Sequence, residues 1–317
     1  MKIVNLDGYT TNPGDLSWDW LGNYGEYKVY DRTAPEQIVE RAKGADILII
    51  NKSVITAQML ENLPNLKFVG LQSTGYNVID CKAARARNIT VSNIPAYSTT
   101  GVAQLVFAFI LQVADNVSLH SDAVHNGEWC ECPDFCFWKT PLTELDGKTI
   151  GIIGFGSIGR RVAQIANAFG MNVEVFTTHP KPDEYKNVNF VDFDTLLSDS
   201  DFITCHCPLT EKTENLIDKN AIDKMRKNAV VINTSRGPVV NDEDLADALN
   251  SGKIKAAGVD VLRVEPPEEE NPLLHAKNCY ITPHIAWAAY ETRARLLGII
   301  EQNIKAYIDG NPINVVN

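Results

Sequence analysis

The sequence predicts an α/β protein of two domains built on parallel sheets, and three observations carry the prediction. Short apolar runs alternate with helical patterns along most of the chain, as in successive βαβ units. A G-x-G-x-x-G turn sits between an apolar strand and an amphipathic helix near the middle. At 317 residues the chain exceeds one domain of ordinary size, which runs to about 100 to 200 residues.

In the first hundred residues "KIVNLD", "YKVYD", "ADILIIN", "KFVGLQS" and "ITVSNI" read as strands, and "APEQIVERAK", "TAQMLENLP" and "IDCKAARARN" read as the helices between them. A Ser/Thr cap, "STTG", then opens a long apolar helix expected from about Gly101 to Val124. Past a loop rich in Cys, Pro and Trp, "KTIGIIGFG" begins a second series that continues through "NVEVFT", "DFITCHCPL", "AVVINTSRG", "AAGVDVL" and "CYITPHIA". No strand follows the final helix, "AYETRARLLGIIEQNIKAYIDG". That helix could cross back to finish the first domain, which would make the central domain an insertion.

Charge narrows the partners. With 29 Lys and Arg against 40 Asp and Glu the net charge is −11, and nucleic-acid binding needs clustered cations to neutralise phosphates. No apolar run reaches the roughly 18 residues of a membrane span. The opening "MKIVNLDGY" lacks the basic and long apolar regions of a signal peptide, so a cytoplasmic location with neither nucleic acid nor membrane as partner is expected.

Seven cysteines in such a chain are expected to be reduced thiols. His125, Cys130, Cys132 and Cys136 in "HNGEWCECPDFC" offer enough donors for zinc, but their spacing matches no usual zinc pattern. The expectation is a Cys-rich surface or interface loop, with metal as the lesser alternative and no metal assigned. Cys205 and Cys207 alternate with His206 along a strand, which puts both sulfurs on one face for packing.

The central turn "GIIGFGSIGRRVA" carries Gly154, Gly156 and Gly159. The first glycine permits the tight turn, the second lets backbone N–H groups approach a pyrophosphate, and the third lets helix pack on strand. A helix N-terminus beyond it offers free donors and a positive dipole end. NAD-binding units place an Asp or Glu about 20 residues on to hold the ribose. Here the strand runs into "FTTHPKP", with Thr177 in that place and Thr178, His179 and Lys181 after it. These residues could serve a 2′-phosphate, so NAD(P) is the expected cofactor with NADP mildly favoured over NAD.

"INTSRG", "GVDVLRVEPPEEENPL" and "ITPHIAWAAY" each follow an apolar strand, at the end of the sheet where ligands bind in open parallel folds. An imidazole can polarise and protonate a carbonyl that accepts hydride, which makes His284 the candidate acid. A neighbouring carboxylate, Glu265, would hold its ring in one tautomer and favour its charged form. The planar guanidinium of Arg236 suits the carboxylate of a 2-keto acid better than an ammonium would. His120, His125, His206 and His275 lack such company and are taken as structural.

These residues also carry a resemblance. "STGYNVID", "GIIGFGSIGRRVA", "CPLT", "INTSRG", "GVDVL", "EPPEEENPL" and "TPHIAW" occur in the order in which the D-isomer-specific 2-hydroxyacid dehydrogenases carry such elements, over essentially the whole chain. "TGYN", "DFCFW" and "HIAWA" are most similar to the glycerate dehydrogenase and hydroxypyruvate reductase branch.

The resemblance implies two Rossmann-like or flavodoxin-like domains, a substrate domain of 1–98 plus 287–317 with the nucleotide domain 99–286 inserted. It implies reduction of a small 2-keto acid, hydroxypyruvate or glyoxylate, to the D-2-hydroxy acid by Arg236, Glu265 and His284. The backbone at Thr74 and Gly75 would hold the substrate carboxylate. Gly154, Gly156, Ser157, Ile158 and Gly159 would cradle the pyrophosphate. Cys207, Pro208, Thr234, Ser235, Asp260 and Ala286 would line the cofactor, with Asp260 accepting from the nicotinamide carboxamide.

A homodimer is implied as well, with an arm containing "CECPDFCFW" that brings Phe135 or Trp138 to a neighbouring site. Two departures qualify the match: Asn77 stands where many relatives have Asp, and Thr177 replaces the ribose acid. Glu265 sets the chain apart from formate dehydrogenases, which typically carry Gln there. A nucleotide-sensing interaction protein, such as the family's corepressors, and an enzyme for another 2-keto acid are the alternatives.

Overall fold

A computed structural model describes all residues 1–317. It divides into two compact units, Met1–Ser98 with Ala288–Asn317, and Thr99–Trp287.

In the first unit the strands β1 (Lys2–Asn5), β2 (Glu26–Val29), β3 (Ile47–Ile50), β4 (Phe68–Leu71) and β5 (Thr90–Ser92) form one parallel sheet. Their order, β2-β1-β3-β4-β5, is the flavodoxin-like winding. β3 and β4 are buried along their whole length, which is why they read as unbroken apolar runs rather than alternating ones. One apolar core joins Leu48, Ile50, Val69, Leu71 and Val91 to Leu60, Leu63 and Ala84 of the connecting segments. The last helix, Tyr290–Ile308, belongs to this unit, with Tyr307 packed on Phe68 at 4.8 Å between ring centres and Asn303 donating to the Asn93 carbonyl at 2.9 Å. Within the same unit Arg293 holds Asp15 through two nitrogens at 2.8 and 2.6 Å.

The second unit carries seven parallel strands: β6 (Thr149–Ile153), β7 (Asn172–Phe176), β8 (Asn189–Phe190), β9 (Phe202–Cys205), β10 (Val230–Asn233), β11 (Ala256–Val259) and β12 (Cys279–Ile281). The order is β12-β11-β10-β9-β6-β7-β8. It reverses direction between β6 and β9, and a crevice for a ligand opens at such a reversal, beyond the carboxyl ends of the strands. Each face of the sheet has its own apolar cluster. Ile150, Ile152, Phe202, Val230 and Ile232 pack with Val106, Phe109 and Val162 on one side, and Ile153, Ile203, Cys205, Val231 and Val259 pack with Leu196, Leu245 and Leu249 on the other.

Two elements differ from the sequence expectation. The single helix from Gly101 to Val124 is two helices, Thr99–Asp115 and Val117–His125, bent by 53°. Asn116 sits at the break with φ 47°, a left-handed conformation that Asn tolerates better than most residues. Its side chain is tied by Thr140 Oγ1 at 3.1 Å and by the Tyr280 hydroxyl at 3.3 Å. No single helix is long and apolar enough to cross a membrane. The other difference is β8, two residues long and too short to give a periodic signal.

Candidate active site

The dinucleotide turn takes the shape its glycines allow. Gly154 has φ +93°, and a Cβ there would lie 2.7 Å from the His206 carbonyl oxygen and 2.8 Å from the Cys207 nitrogen. The turn therefore presses against the end of β9, at the point where the sheet reverses. A Cβ at Gly159 would meet the Gly154 carbonyl at 2.3 Å, whereas one at Gly156 would meet nothing within 4 Å. Gly159 thus lets the chain pack on itself, and Gly156 keeps an open approach for something outside the chain.

Gly156 is also the N-cap of the helix Ser157–Ala168, and no side chain caps that end. Uncapped N–H groups with a positive dipole behind them suit a pyrophosphate. Ser157 is exposed and Ile158 half-buried at the first turn of this helix. Two further orphans lie at neighbouring strand ends. The buried Thr234 Oγ1 and His206 Nδ1 have no hydrogen-bond partner, and buried polar atoms are rarely left so. The open cradle, the uncapped helix end and these atoms fit a dinucleotide.

His206, expected to be structural, lies just past the end of β9 beside the glycine turn. Its Nε2 meets Thr204 Oγ1 at 2.9 Å, and its backbone N–H donates to the Ile153 carbonyl at 2.7 Å. Part of the residue reaches the surface, yet loss of water around the ring pushes its pKa down to about 3, so it is neutral in any ordinary buffer. Its unpartnered Nδ1 shows only in space, since an isolated His carries no sequence signal. Cys205 and Cys207 both pack into the same apolar cluster, and burial holds both thiols above their ordinary range.

Beyond β7, Thr177 Oγ1 accepts from the His179 N–H at 3.4 Å, Thr178 Oγ1 meets His179 Nδ1 at 2.9 Å, and Lys181 pairs with Glu184 at 2.9 Å. Thr177 stands at the strand end with no carboxylate in its place, and Lys181 is not a free cation.

Arg236, Glu265 and His284 are linked through the loops that end β10, β11 and β12. Asn233 folds the first loop, its Oδ1 accepting from the N–H and hydroxyl of Ser235 at 3.0 and 2.8 Å while its Nδ2 donates to the Arg236 carbonyl at 2.9 Å. Arg236 is exposed, and its guanidinium makes only a local bond, to the Ser235 carbonyl at 2.7 Å. Gly237 follows, and a Cβ there would lie 2.0 Å from the Leu262 carbonyl. This contact seats the Arg236 loop on the segment that carries Glu265. The Leu262 N–H in turn donates to Glu265 Oε1 at 3.2 Å, and Glu265 Oε2 lies 2.6 Å from His284 Nδ1.

His284 and Glu265 side chains are 34% and 33% exposed, open enough for a small molecule to reach and sheltered enough to stay ordered. With Nδ1 held by the carboxylate, Nε2 is the nitrogen free to exchange a proton with a ligand. His284 also has φ 54° and donates its N–H to the Thr282 carbonyl two residues back at 2.9 Å. Such turns are strained for a residue with a Cβ and persist where the surroundings impose them.

Asp260 imposes this one. It is buried to 1% exposure, its Oδ1 accepting from Thr282 Oγ1 at 2.6 Å and the Ile285 N–H at 2.8 Å, and its Oδ2 from the Ala286 N–H at 2.8 Å. Three of the roughly four acceptor positions of a carboxylate are thus used on the chain itself. Positioning the His284 loop is a part for Asp260 that the sequence did not disclose, and the same is true of Gly237 and Asn233.

Gly237→Ala is expected to force the Arg236 and Glu265 loops apart, at a cost of about 1–3 kcal/mol from overpacking against rigid backbone. Denaturant unfolding together with steady-state rates checks it, and unchanged values in both would show that the loops do not need this contact.

In the first unit the Thr74 and Gly75 carbonyls are occupied by Asn93 Nδ2 and Ser73 Oγ, each at 2.7 Å, and Thr74 Oγ1 donates to the Ile94 carbonyl at 2.7 Å. Their backbone N–H groups have no acceptor. In the arm, His120 is engaged by Asn116 and Lys139, and Trp129 donates to the Phe135 carbonyl at 3.0 Å. No group of three His, Cys, Asp or Glu side chains is arranged to hold a metal ion.

Residues 107–286 match the family model described as the NAD binding domain of D-isomer specific 2-hydroxyacid dehydrogenases. The chain is 48% identical to a hydroxypyruvate reductase of Blautia hydrogenotrophica, with 100% of both chains covered. It is 39% identical to a glycerate dehydrogenase of Methylorubrum extorquens, with 92% of each covered. Among solved structures, an acyclic imino acid reductase in complex with NADPH and D-Arg superposes with a TM-score of 0.86 at 31% identity, with both chains covered fully. Taken with the winding of the two sheets and the glycine turn at the reversal point, these likenesses place the chain in the D-isomer-specific 2-hydroxyacid dehydrogenase family, as an NAD(P)-dependent oxidoreductase acting on the CH–OH group of its donor.

Proposed function

We propose that the chain reduces hydroxypyruvate to D-glycerate, and glyoxylate alongside it to glycolate. The observation that carries this reading is the 2.6 Å His284–Glu265 pair, held in a left-handed turn on the dinucleotide-binding sheet. The likeness to a hydroxypyruvate reductase over the full length supports the choice of substrate. The nicotinamide, when bound, supplies hydride to C2 of the keto acid. His284 Nε2 gives a proton to the substrate oxygen as charge develops there, and Glu265 keeps Nδ1 protonated and the ring oriented. Arg236 turns from the Ser235 carbonyl to grip the substrate carboxylate. In the first unit, the unoccupied N–H groups of Thr74 and Gly75 are donors of the kind a carboxylate takes.

Gly154, Gly156, Ser157, Ile158 and Gly159 take the pyrophosphate, and Cys207, Pro208, Thr234, Ser235 and Ala286 line the nicotinamide side. Asp260 has one acceptor position left for the carboxamide. NADP is preferred mildly over NAD, because no acid at Thr177 repels a 2′-phosphate. Thr177→Asp is expected to move the ratio of kcat/KM for NADPH over NADH toward NADH, and an unchanged ratio would place the 2′ position elsewhere.

The chain works as a cytoplasmic homodimer without nucleic acid or membrane. Phe135 at 89% exposure and Trp138 at 66% are large apolar side chains that a second copy would cover. Initial rates over a panel of small 2-keto acids with NADH and NADPH in parallel test the function. Turnover fastest with hydroxypyruvate is expected, and a faster acid of different side chain would redirect the substrate assignment.

A further inference from the structure

The dinucleotide reading leaves open how the chain treats the 2′ position, and the loop after β7 supplies an answer that rests on that reading. The N–H groups of Glu184 and Tyr185 both donate to the Lys181 carbonyl, at 3.1 and 3.2 Å, which closes the loop into a turn. The Tyr185 ring then meets Phe155 edge-on at 5.1 Å, and Phe155 lies between Gly154 and Gly156. Phe190 packs on the same ring at 5.6 Å. These contacts fasten the loop to the glycine turn and bring its charges to the side of the cradle.

Three charges matter there. Lys181 and Glu184 neutralise one another across 2.9 Å, while Asp183 is turned to Lys186 at 3.5 Å. Arg160 is the third, in the first turn of the helix, its N–H donating to the Gly156 carbonyl at 3.0 Å. Its guanidinium has no ion-pair or side-chain hydrogen-bond partner although the residue is half-buried, whereas the adjacent Arg161 bonds Gln164 at 3.1 Å. Arg160 still lies near enough to act on both members of the pair. Lys181 is held above its ordinary range chiefly by its bond to Glu184, with Arg160 opposing, and Glu184 is held below its range chiefly by Lys181, with Arg160 adding to the effect.

We propose that Arg160 is the residue that recognises the adenosine 2′-phosphate of NADPH, and that Glu184 sets the strength of the preference by holding Lys181 away from that phosphate. A planar guanidinium without an ion-pair partner matches a phosphate through two parallel bonds. A phosphomonoester brings up to two negative charges, and the cluster of Arg160, Lys181 and Glu184 carries one net positive charge to meet it. The 2′-hydroxyl of NADH brings no charge and gains little from Arg160. Glu184 therefore moderates a preference that Arg160 creates, and a mild preference is the expected sum.

Calorimetric titration of the full chain with 2′,5′-ADP and with 5′-ADP isolates this step from catalysis. The unmodified chain should bind 2′,5′-ADP more tightly. Arg160→Ala should weaken 2′,5′-ADP about tenfold or more, as expected for a charged hydrogen bond, and leave 5′-ADP nearly unchanged. Arg160→Lys keeps the charge and the stem but loses the fork, and should fall between. Glu184→Gln should tighten 2′,5′-ADP several-fold, in the range of an exposed ion pair released.

Equal loss of both fragments in Arg160→Ala, or no loss in either, would overturn the assignment of Arg160. Weaker 5′-ADP binding in Glu184→Gln would make Glu184 a ribose ligand instead and overturn its moderating part. If neither fragment bound the unmodified chain, the dinucleotide reading would fail together with the proposal, whereas equal binding of the two fragments would overturn the proposal alone.

Discussion

Replacing His284 with asparagine is expected to lower kcat by about 10²–10⁴-fold, the range that a positioned general acid contributes, while dinucleotide affinity stays nearly unchanged. Asparagine is the informative choice because position 284 has φ 54°, which Asn adopts more readily than other residues. A drop in rate then reports the missing imidazole rather than a collapsed turn. The proton must come from Nε2, since Nδ1 faces the Glu265 carboxylate at 2.6 Å. Glu265→Gln should lower kcat in the same direction, because an amide cannot stabilise the imidazolium that forms in the oxidative direction. Rates at saturating substrate, beside a fluorescence titration of the reduced dinucleotide, separate chemistry from binding. If His284→Asn retained most of the activity, another acid would have to be found.

Asp260→Ala should cost on the order of 2–5 kcal/mol of stability and disable the site at the same time. Alanine would leave two backbone N–H groups and the Thr282 hydroxyl without their acceptor, in a place where Asp260 is 1% exposed. The turn that aims His284 would then have nothing to impose its left-handed conformation. Denaturant unfolding should show the loss, and amide exchange should accelerate at Ile285 and Ala286 well before global unfolding. Unaltered exchange at those two amides would mean that the turn is held by something other than Asp260. Asp260→Asn is a gentler form of the same test, since its amide can still accept at one atom but offers donors at the other.

The parallel sheets were legible because strands covered on both faces are written as unbroken apolar runs, such as "ILII" in β3 and "VVI" in β10. The glycine turn was legible because each glycine answers a separate steric demand. The break at Asn116 was not, since the apolar pattern continues across it and the conformation is fixed by Thr140 and Tyr280, far along the chain. For the same reason Asp260 could be placed at a strand end but not seen to hold the loop from 282 to 286, and Gly237 gave no sign that its missing side chain admits Leu262. His206 reads as a packing residue because it is an isolated His just past a strand. Its unpartnered Nδ1 at the sheet reversal is visible only in three dimensions.

The central claim is hydride transfer to a 2-keto acid to give the D-isomer, and deuterium at C4 of the reduced cofactor follows it directly. Hydroxypyruvate incubated with the protein and NADPH or NADH deuterated at both C4 positions should yield D-glycerate carrying deuterium at C2. Glycerate of the L configuration, glycerate without the label, or no product from either cofactor would contradict the account.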